Sequence, residues 1–368
     1  MDVFKEMEGL GHERVLVCCN PDVGLKAIIA VHSTVLGPGL GGVRMWPYKS
    51  MDEALTDVLR LSQGMTYKAA AAGLNLGGGK AVIVGDPKKD KSEALFRAFG
   101  RYVDSLGGLY ITAEDVGTDM EDMELILTET RWVTGVSPAH GGSGDPSPVT
   151  AFGVLQGMKA AALWRSRDAD GERPLDGTAV AIQGLGSVGM YLAKYLADEG
   201  AKLVGCDIDP EATAEAASKH GVEIVPPDEI YDVECDVFAP CALGAVLNDD
   251  TIPRLKCDIV AGGANNQLAD GDRHGKELAD REILYAPDFV INAGGLINVY
   301  NELTGDYVQE RALRMTRGIY LNLMRVFEIA KEQGVPTSEA ADKMAEERIE
   351  NIKGLGARHW GRLLNHRG

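Results

Sequence analysis

The sequence predicts an α/β fold in two domains, and three observations carry that prediction. Short apolar runs typical of buried strands alternate with amphipathic helical patterns along the chain. The 368 residues are enough for two domains of ordinary size, each with its own core. A segment dense in Gly, Ser and Pro, residues 141–150, separates two such series and is followed directly by a long helical pattern. We therefore place a domain junction in that segment.

The first series predicts an α/β domain over residues 1–145. Residues 51–65 and 91–106 place apolar side chains at three- and four-residue spacing, which is typical of helices packed on a core. The strand candidates of this series are KAIIAVHS, KAVIVGD and LYITAED.

The second series predicts a doubly wound parallel sheet over residues 146–330. Its apolar runs are short and are separated by helical patterns, one of them at about residues 210–220, as in sheets covered by helices on both faces. Residues 331–368 return to a helical pattern and are assigned to C-terminal helices. The strand candidates are TAVAIQG, KLVGCDID, VFAPCA, DIVAGG and EILYAPDFVINAGG.

Composition excludes several classes of partner. The 37 basic and 55 acidic residues give a formal net charge of -18, which repels a phosphate backbone and argues against nucleic acid as a partner. The acidity is compatible either with adaptation to salt or simply with good solubility. No apolar run approaches the roughly 20 residues of a membrane span, and the N-terminal residues lack the apolar core of a signal peptide. The six cysteines form no C-x-x-C pair and the seven histidines are scattered, so no metal site is indicated. Cysteines in this pattern are typical of buried thiols in a reducing, cytoplasmic compartment.

Residues 184–189 carry the G-x-G-x-x-G pattern of dinucleotide-binding folds. The pattern follows an apolar strand and opens an amphipathic helix, which is the context that its chemistry requires. The first glycine allows a tight turn, the second a close approach to a pyrophosphate, and the third close packing of helix on strand. We predict cofactor contacts from Gly184, Gly186, Ser187, Val188 and Gly189.

An acidic residue at the end of the next strand favours NAD over NADP. Asp207 lies 18 residues after Gly189, where a carboxylate accepts hydrogen bonds from the ribose hydroxyls of NAD and repels the extra phosphate of NADP. Asp209 competes for this role, but its place before Pro210 is typical of a helix N-cap.

Two lysines, Lys68 and Lys80, flank a Gly-rich run that is not a phosphate loop. A P-loop requires a glycine where Leu74 stands and Ser or Thr where Ala81 stands. A lysine among Gly and Ala loses hydration, and a second cation nearby disfavours its charged form, so Lys80 is a candidate general base. Ordinary solvated loop lysines are the alternative interpretation. Asp115 follows a strand candidate, at the strand end where α/β proteins gather ligands.

Eight segments, in order and spanning about residues 15–353, resemble the Glu/Leu/Phe/Val dehydrogenases, most closely their branched-chain members. The resemblance implies reversible NAD-dependent oxidative deamination of an L-amino acid to a 2-oxo acid and ammonia, in a homo-oligomer whose size the sequence does not select. The segments are GPGLGGVRMW, GMTYKAAAAGLNLGGGKAVIVGDP, YITAEDVGT, SGDPSPVTAFGV, IQGLGSVG, APCALGAVLND, GANNQL and YAPDFVINAGGLINV.

The resemblance also implies roles for individual residues. Lys68, in MTYK, would pair with the substrate α-carboxylate, Lys80, in GGGK, would activate the water that attacks the imine, and Asp115, in AEDVG, would shuttle the proton of the amino group. Asn265, in GANNQL, matches an asparagine on the cofactor-ribose or substrate side. The first domain would then bind substrate and direct oligomerisation, the second would bind NAD, and the C-terminal helices would pack back on the first.

The residues matching the family's side-chain pocket are apolar. Glutamate enzymes carry a lysine where Leu40 stands, and an unpaired carboxylate is costly to bury, which argues against glutamate as the substrate. Leu40, Gly41, Ala113, Leu296 and Val299 are the predicted pocket residues. Leu296 is more typical of phenylalanine enzymes, whereas Ala113 and the AEDVG segment are not. We therefore expect leucine, valine or isoleucine as the substrate, with phenylalanine as the alternative substrate. A non-catalytic dinucleotide-binding protein is a remote alternative to the enzyme.

Overall fold

A computed structural model of the chain describes residues 2–166 and 174–354. Contacts divide the chain into two compact units. The first unit comprises residues 1–145, 299–308 and 345–368, and the second comprises residues 146–298 and 309–344. None of the described helices is both long enough and apolar enough to span a membrane.

Each unit is built from more than one segment of the chain, whereas the sequence predicts one continuous segment for each domain. The sequence places residues 146–330 in one domain and 331–368 in C-terminal helices, whereas residues 299–308 group with the first unit and residues 331–344 with the second. Helical periodicity shows that a helix has an apolar face but not which core receives it. Residues 355–368 of the predicted C-terminal segment lie outside the described residues.

The first unit contains a mixed five-stranded sheet. Its strand order is β1-β2-β4-β3-β5; β1 and β4 pair with β2 antiparallel, and β3 pairs with β4 and β5 in parallel. The strands are β1 (Arg14–Asn20), β2 (Leu25–Ser33), β3 (Gly39–Trp46), β4 (Gly77–Val84) and β5 (Tyr110–Glu114), and the helices are α1 (Val3–Leu10), α2 (Met51–Ala71), α3 (Glu93–Ser105) and α4 (Met120–Leu127).

Helix α2 runs six residues beyond the predicted end at Met65 and therefore carries Lys68 in its last turn. The Ser50 side chain caps its start by accepting from the Glu53 N–H at 3.1 Å. Its end is a Schellman turn: Gly73 has φ +73°, and the Leu74 N–H reaches the Ala69 carbonyl oxygen at 3.0 Å. Leu74 is buried in this turn, which explains an apolar residue where a phosphate loop would need glycine.

The glycines before Lys80 allow close packing around β4. A Cβ on Gly78 would lie 2.2 Å from Thr66 Oγ1 on α2, and one on Gly77 would lie 1.9 Å from the Ser33 carbonyl oxygen. A Cβ on Gly79 would lie 2.6 Å from the Tyr110 ring. Because backbone and helix occupy the space of these side chains, the Gly-rich run is a packing feature of a strand.

Two buried histidines hold the middle of α2. His12 Nε2 lies 3.1 Å from the Leu59 carbonyl oxygen, and His32 Nδ1 lies 2.7 Å from Thr66 Oγ1 while its Nε2 lies 2.9 Å from the Leu10 carbonyl oxygen. The two rings meet edge to face with centroids 4.8 Å apart. Burial, and then the neighbouring His32, lowers the pKa of His12 to about 4, and burial lowers the pKa of His32.

The second unit contains a six-stranded parallel sheet of order β11-β10-β9-β6-β7-β8. This is the doubly wound order of dinucleotide-binding folds, in which ligands sit where the order reverses, between β6 and β9. The helices are α5 (Ser147–Ser166), α6 (Ser187–Glu199), α7 (Pro210–His220), α8 (Gly271–Asp280) and α9 (Asp288–Ile291), and the strands are β6 (Ala179–Gln183), β7 (Lys202–Cys206), β8 (Glu223–Ile224), β9 (Val237–Pro240), β10 (Ile259–Val260) and β11 (Leu284–Tyr285).

The strand predicted over EILYAPDFVINAGG is much shorter than expected, and part of the segment is helical. Only Leu284–Tyr285 pair with the sheet, and α9 begins after Pro287. A continuous apolar run cannot be distinguished by periodicity between a buried strand and a buried helix, and here Val290 and Ile291 are buried as parts of a helix.

Four helices complete the described chain: α10 (Gly294–Leu303), α11 (Gln309–Thr316), α12 (Gly318–Gln333) and α13 (Thr337–Lys353). Helix α12 packs on α5 in the second unit, where Trp164 and Phe327 lie with ring centroids 5.7 Å apart. The end of α13 belongs to the first unit, where Arg348 donates to the carbonyl oxygens of Ala69 and Ala70. Residues 345–354 at the end of α13 thus group with the first unit.

The histidine pair predicts acid sensitivity of folding. His12 titrates near pH 6.5 in the unfolded chain and near 4 in the folded one. The unfolded state therefore binds more protons between these values, and stability falls as pH drops from about 6.5 to about 4, by on the order of 3 kcal/mol from His12. We expect His12→Gln, which keeps a donor for Leu59, to flatten this slope of thermal midpoint against pH. His220→Gln is the control, and an equal slope in His12→Gln and the parent would contradict the prediction.

Gly42 of β3 and Gly64 of α2 predict opposite effects on stability when each is replaced by alanine. A Cβ at Gly42 would lie 2.3 Å from the Glu114 carbonyl oxygen, so Gly42→Ala forces β3 and β5 apart and lowers stability by about 1–3 kcal/mol. Gly64, in the exposed part of α2, has nothing within 4 Å of its Cβ position, so Gly64→Ala adds about 0.5–1 kcal/mol through helix propensity. Thermal unfolding followed by circular dichroism measures both, and shifts of the same sign would contradict the prediction.

Candidate active site

The candidate catalytic residues of the first unit lie on the face of the sheet that α2 covers. Successive side chains of a strand alternate between faces, so Lys80 shares a face with Gly78, the residue that contacts α2 at Thr66. The Lys80 side chain is only 7% exposed, which excludes a solvated loop lysine. Asp115 directly follows β5, as the sequence predicted.

An ion-pair network surrounds the Lys80 ammonium. Lys80 Nζ lies 3.1 Å from Asp115 Oδ1, and Arg44 Nε lies 2.9 Å from Asp115 Oδ2. Each carboxylate oxygen thus faces a different cation. This arrangement fixes the orientation of Asp115 between β3 and β4.

Arg44 is fixed in turn by two groups behind it. Its NH1 lies 3.0 Å from Asp57 Oδ2 on α2, and the Tyr48 hydroxyl donates to the same oxygen at 2.6 Å. Burial and the bond to Asp57 raise the pKa of Tyr48, which keeps its hydroxyl protonated as a donor. The chain of contacts therefore runs from Tyr48 to Lys80 without a break.

The surroundings shift Lys80 and Asp115 in ways that suit a base beside an anion. Burial lowers the pKa of Lys80 and the Arg44 charge lowers it further, against the opposing charge of Asp115. Burial by itself would raise the pKa of Asp115, but the charges of Lys80 and Arg44 outweigh it and hold that pKa below its usual value. The neighbouring cation that lowers the pKa of Lys80 is thus Arg44.

Lys68 lies in the last turn of α2 and is partly buried. It follows Asp57 by 11 residues, which is close to three whole helical turns, so both residues lie on one side of the helix. Asp57 contacts Arg44 on β3, and the Met65 side chain lies over Gly41. Lys68 is therefore on the side of α2 that faces β3.

The predicted pocket residues of the first unit share the face of Lys80. Leu40 lies beside Gly78 on β4 and Ile111 on β5, and Ala113 lies beside Gly42. Leu40 and Ala113 are buried, at 2% and 8% exposure, and add no charge to this surface.

The remaining pocket residues belong to other segments. A Cβ on Gly41 would overlap the Gly79 carbonyl oxygen at 1.9 Å, so Gly41 serves the close pairing of the strands. Leu296 and Val299 lie three residues apart on one side of α10, where Leu296 is buried and Val299 partly buried. They fall on either side of the division between the two units.

The glycine pattern of the second unit has the geometry of a dinucleotide site. Gly184 has φ +100°, and its Cβ would lie 2.6 Å from Ala242, which follows β9. A Cβ on Gly189 would lie 2.0 Å from the Gly184 carbonyl oxygen, so helix and strand meet without a side chain between them.

The start of α6 is suited to a phosphate. Gly186 has open space at its Cβ position and is the N-cap of α6, which has no capping side chain. Gly186 and Ser187 are exposed, and Val188 is partly buried behind them. An exposed helix start with unpaired N–H groups is a general anion site, so these residues fit the pyrophosphate of a dinucleotide.

The two aspartates after β7 have different partners. Asp207 accepts from the Leu185 N–H at 2.6 Å and from the Asp209 N–H at 2.9 Å, which directs its carboxylate toward the glycine turn. Asp209 caps α7 by accepting from the Glu211 N–H at 2.9 Å. Asp209 is thus a helix cap, and Asp207 as the ribose ligand stays a prediction.

Asn265 is exposed and is held by a buried neighbour. Its Oδ1 accepts from Asn292 Nδ2 at 2.8 Å, and the same amide reaches the Ala264 carbonyl oxygen at 3.2 Å. Asn292 Oδ1 is buried and has no hydrogen-bond partner in the described part of the chain.

A possible metal-ligand group occurs away from these residues. Asp249, His274 and Glu277 place one ligand atom each within 4.8 Å of one another. However, the Asp270 N–H donates to His274 Nδ1 at 2.9 Å, so the neutral ring carries its hydrogen on Nε2, which faces Asp249 at 3.5 Å. A ring nitrogen that carries hydrogen cannot bind a metal, and Arg273 also pairs with Asp249.

Sequence reasoning missed Arg44, Asp57 and Tyr48. Arg44 belongs to the GGVR segment, yet only the position before the glycines was interpreted there. Its place two residues after Gly42 on β3 puts it on the face of Lys80, a signal that could have been read once the strand was recognised. Asp57 and Tyr48 gave no signal, because their roles depend on how α2 lies against β3.

Comparison with known proteins identifies the family. Residues 12–132 match the family described as Glu/Leu/Phe/Val dehydrogenase, dimerisation domain. Residues 141–213 and 207–354 match Glutamate/Leucine/Phenylalanine/Valine dehydrogenase. Together these matches span nearly all of the chain.

Individual relatives carry different substrate names. A leucine dehydrogenase of Thermoactinomyces intermedius is 59% identical over 353 residues, covering 96% of this chain and 95% of that one. A phenylalanine dehydrogenase of Caldalkalibacillus thermarum is 51% identical over 346 residues, covering 92% and 91%. The crystal structure of an L-tryptophan dehydrogenase from Nostoc punctiforme superposes with a TM-score of 0.85 at 47% identity, covering 95% and 99%. The chain belongs to the Glu/Leu/Phe/Val dehydrogenase family and is an amino acid dehydrogenase, an oxidoreductase dependent on a pyridine nucleotide.

Proposed function

We propose that the protein catalyses the reversible, NAD-dependent oxidative deamination of an apolar L-amino acid, with leucine, valine and isoleucine preferred, to the 2-oxo acid and ammonia. The observation that carries this proposal is the buried pair of Lys80 and Asp115, 3.1 Å apart, with Arg44 behind it. A buried lysine of lowered pKa beside an ionised carboxylate supplies both a base and a proton carrier.

The roles divide among three residues. Lys68 would hold the substrate α-carboxylate and thereby fix the position of Cα. Lys80, in its neutral form, would take the proton of the water that attacks the imine carbon. Asp115 would carry the proton to and from the substrate nitrogen, and Arg44 and Asp57 keep its carboxylate oriented during that exchange.

The cofactor assignment to NAD rests on the residues of the second unit. Bound NAD would supply the acceptor for the hydride from Cα. Gly184 and Gly189 allow the turn and the helix to pack closely, and Gly186 leaves room for a pyrophosphate at the start of α6. Asp207 would accept from the adenosine ribose hydroxyls. A carboxylate at that position repels the additional phosphate of NADP, which supports NAD as the cofactor.

The substrate preference rests on the apolar surface beside Lys80. Leu40 and Ala113 offer no partner for a charged or polar side chain, and a relative that is 59% identical is named for leucine. Phenylalanine is the second candidate, favoured by Leu296 and by the relative named for phenylalanine. One methylene changes discrimination by only about 1–3 kcal/mol, so a few pocket residues decide between the two.

We propose in addition that the protein works as a homo-oligomer. The description of the first matched domain as a dimerisation domain supports this assembly. Its partners are then a second copy of the chain and small molecules: the amino acid, the 2-oxo acid, ammonia and NAD.

The function is tested with a panel of L-amino acids and NAD at alkaline pH, followed by NADH absorbance. We expect the highest kcat/KM for leucine, valine or isoleucine and turnover with no acidic amino acid.

Lys80→Ala should lower kcat at least about a thousandfold, since it removes the base, while NAD binding stays within about twofold. Lys26→Ala, an exposed lysine of β2, is the matched control. NAD binding without NADH formation from any amino acid would exclude the proposed function.

The cofactor assignment is tested by Asp207→Ala. We expect KM for NAD to rise about tenfold and the ratio of kcat/KM for NAD over NADP to fall by at least about tenfold, since both a ribose acceptor and a repulsive charge are lost. Asp209→Ala is the matched control and should cost only about 1 kcal/mol of stability as a lost N-cap. An unchanged NAD to NADP ratio in Asp207→Ala would show that another residue selects the cofactor.

A further inference from the structure

The end of α2 is held by a residue almost 280 positions away in the sequence. Arg348 of α13 donates from NH1 to the carbonyl oxygens of Ala69 and Ala70 at 3.3 and 3.1 Å, and from NH2 to Asn75 Oδ1 at 3.3 Å. Ala69 and Ala70 directly follow Lys68. All of these residues belong to the first unit.

This contact exceeds what the helix end needs for its own stability. The Schellman turn already supplies donors to both oxygens: the Leu74 N–H to Ala69 at 3.0 Å and the Gly73 N–H to Ala70 at 3.1 Å. Arg348 adds a second donor to each and places a positive charge at a helix C-terminus, where it is favourable. Its planar guanidinium fixes the two carbonyls and the Asn75 side chain relative to one another, which a lysine could not do.

The Arg348 side chain is partly buried, and it has no counter-ion among residues 2–166 and 174–354. No carboxylate in those ranges lies within salt-bridge distance of Arg348, and burial lowers its pKa. Burying an unpaired cation costs free energy, so its retention at this turn calls for a compensating gain. The carbonyl oxygens of α2 offset part of that cost through charge-assisted hydrogen bonds.

Two further contacts hold the same segment. The Tyr67 hydroxyl donates to Glu346 Oε1 on α13 at 3.1 Å, so the residue before Lys68 is held as well as the two after it. The Tyr300 hydroxyl accepts from the Asn75 N–H, in the loop that leads to β4. The segment that joins Lys68 to the Gly-rich strand is thus fixed from α10 and α13.

We propose that Arg348 is a positioning residue for Lys68, which sets the place of the amino-acid carboxylate through the last turn of α2. The inference rests on the proposed function, because it takes Lys68 as the carboxylate ligand. Arg348 touches neither substrate nor cofactor in this role. Its contribution is rigidity: a cation displaced by about 1 Å from its productive place can lose much of its effect on orientation.

The experiment measures KM and kcat for leucine and for NAD in Arg348→Met and Arg348→Lys. We expect Arg348→Met to raise KM for leucine about tenfold with kcat and KM for NAD within about twofold, and Arg348→Lys to lie between it and the parent. Arg325→Met, an exposed arginine of α12, is the matched control and should leave all constants unchanged. Tyr300→Phe, which removes one hydroxyl, should raise KM for leucine about threefold and serves if Arg348→Met does not fold.

A double-mutant cycle with Lys68→Ala separates positioning of Lys68 from a general loss of structure. If Arg348 acts through Lys68, Arg348→Met adds no further increase in KM for leucine once Lys68 is removed. Equal effects in both backgrounds, or an unchanged KM in Arg348→Met and Tyr300→Phe, would overturn the inference while the parent remains an active dehydrogenase. A parent that binds NAD and forms no NADH with any amino acid would instead overturn the proposed function, and this inference with it.

Discussion

The close approach of α2 to β4 is the constraint on which the first unit depends. Gly78 has no side chain, so Thr66 of α2 lies directly over the strand backbone. With a larger residue at this position, the helix would have to move outward. The helix carries Asp57 and Lys68, and the strand carries Lys80, so the same contact sets the distance between the groups of the site.

Burial of Lys80 follows from this packing and gives the lysine its chemistry. An ammonium group deprived of water is stabilised less than in solution, and the nearby guanidinium of Arg44 adds repulsion. Asp115 keeps the opposite character, because it faces two cations and stays ionised despite its burial. One small network thus separates a group that readily gives up its proton from one that stays charged, a pattern found where proton transfer is catalysed.

The second unit uses the same device of absent side chains for another purpose. A Cβ on Gly189 would lie 2.0 Å from the Gly184 carbonyl oxygen, and one on Gly184 would lie 2.6 Å from Ala242 at the neighbouring strand end. These contacts put the start of α6 at the point where the strand order of the sheet reverses. The glycines before Lys80 bring a helix onto the strand of Lys80, whereas Gly186 leaves open space at the start of α6.

The sequence by itself determined the α/β class, the parallel arrangement of strands in the second sheet, and the family. It also provided the candidate site residues Lys68, Lys80, Asp115 and Asp207. Each of these depends on local periodicity, on a motif in its context, or on eight ordered segments. The end of α2, the helix within EILYAPDFVINAGG and the passage of residues 299–308 into the first unit were decided by packing, since an apolar run is compatible with either element and with either core. Arg44, Asp57, Tyr48 and Arg348 acquire their roles only in the tertiary structure. Their partners lie between 9 and about 280 residues away, and no local pattern encodes a contact at such separation.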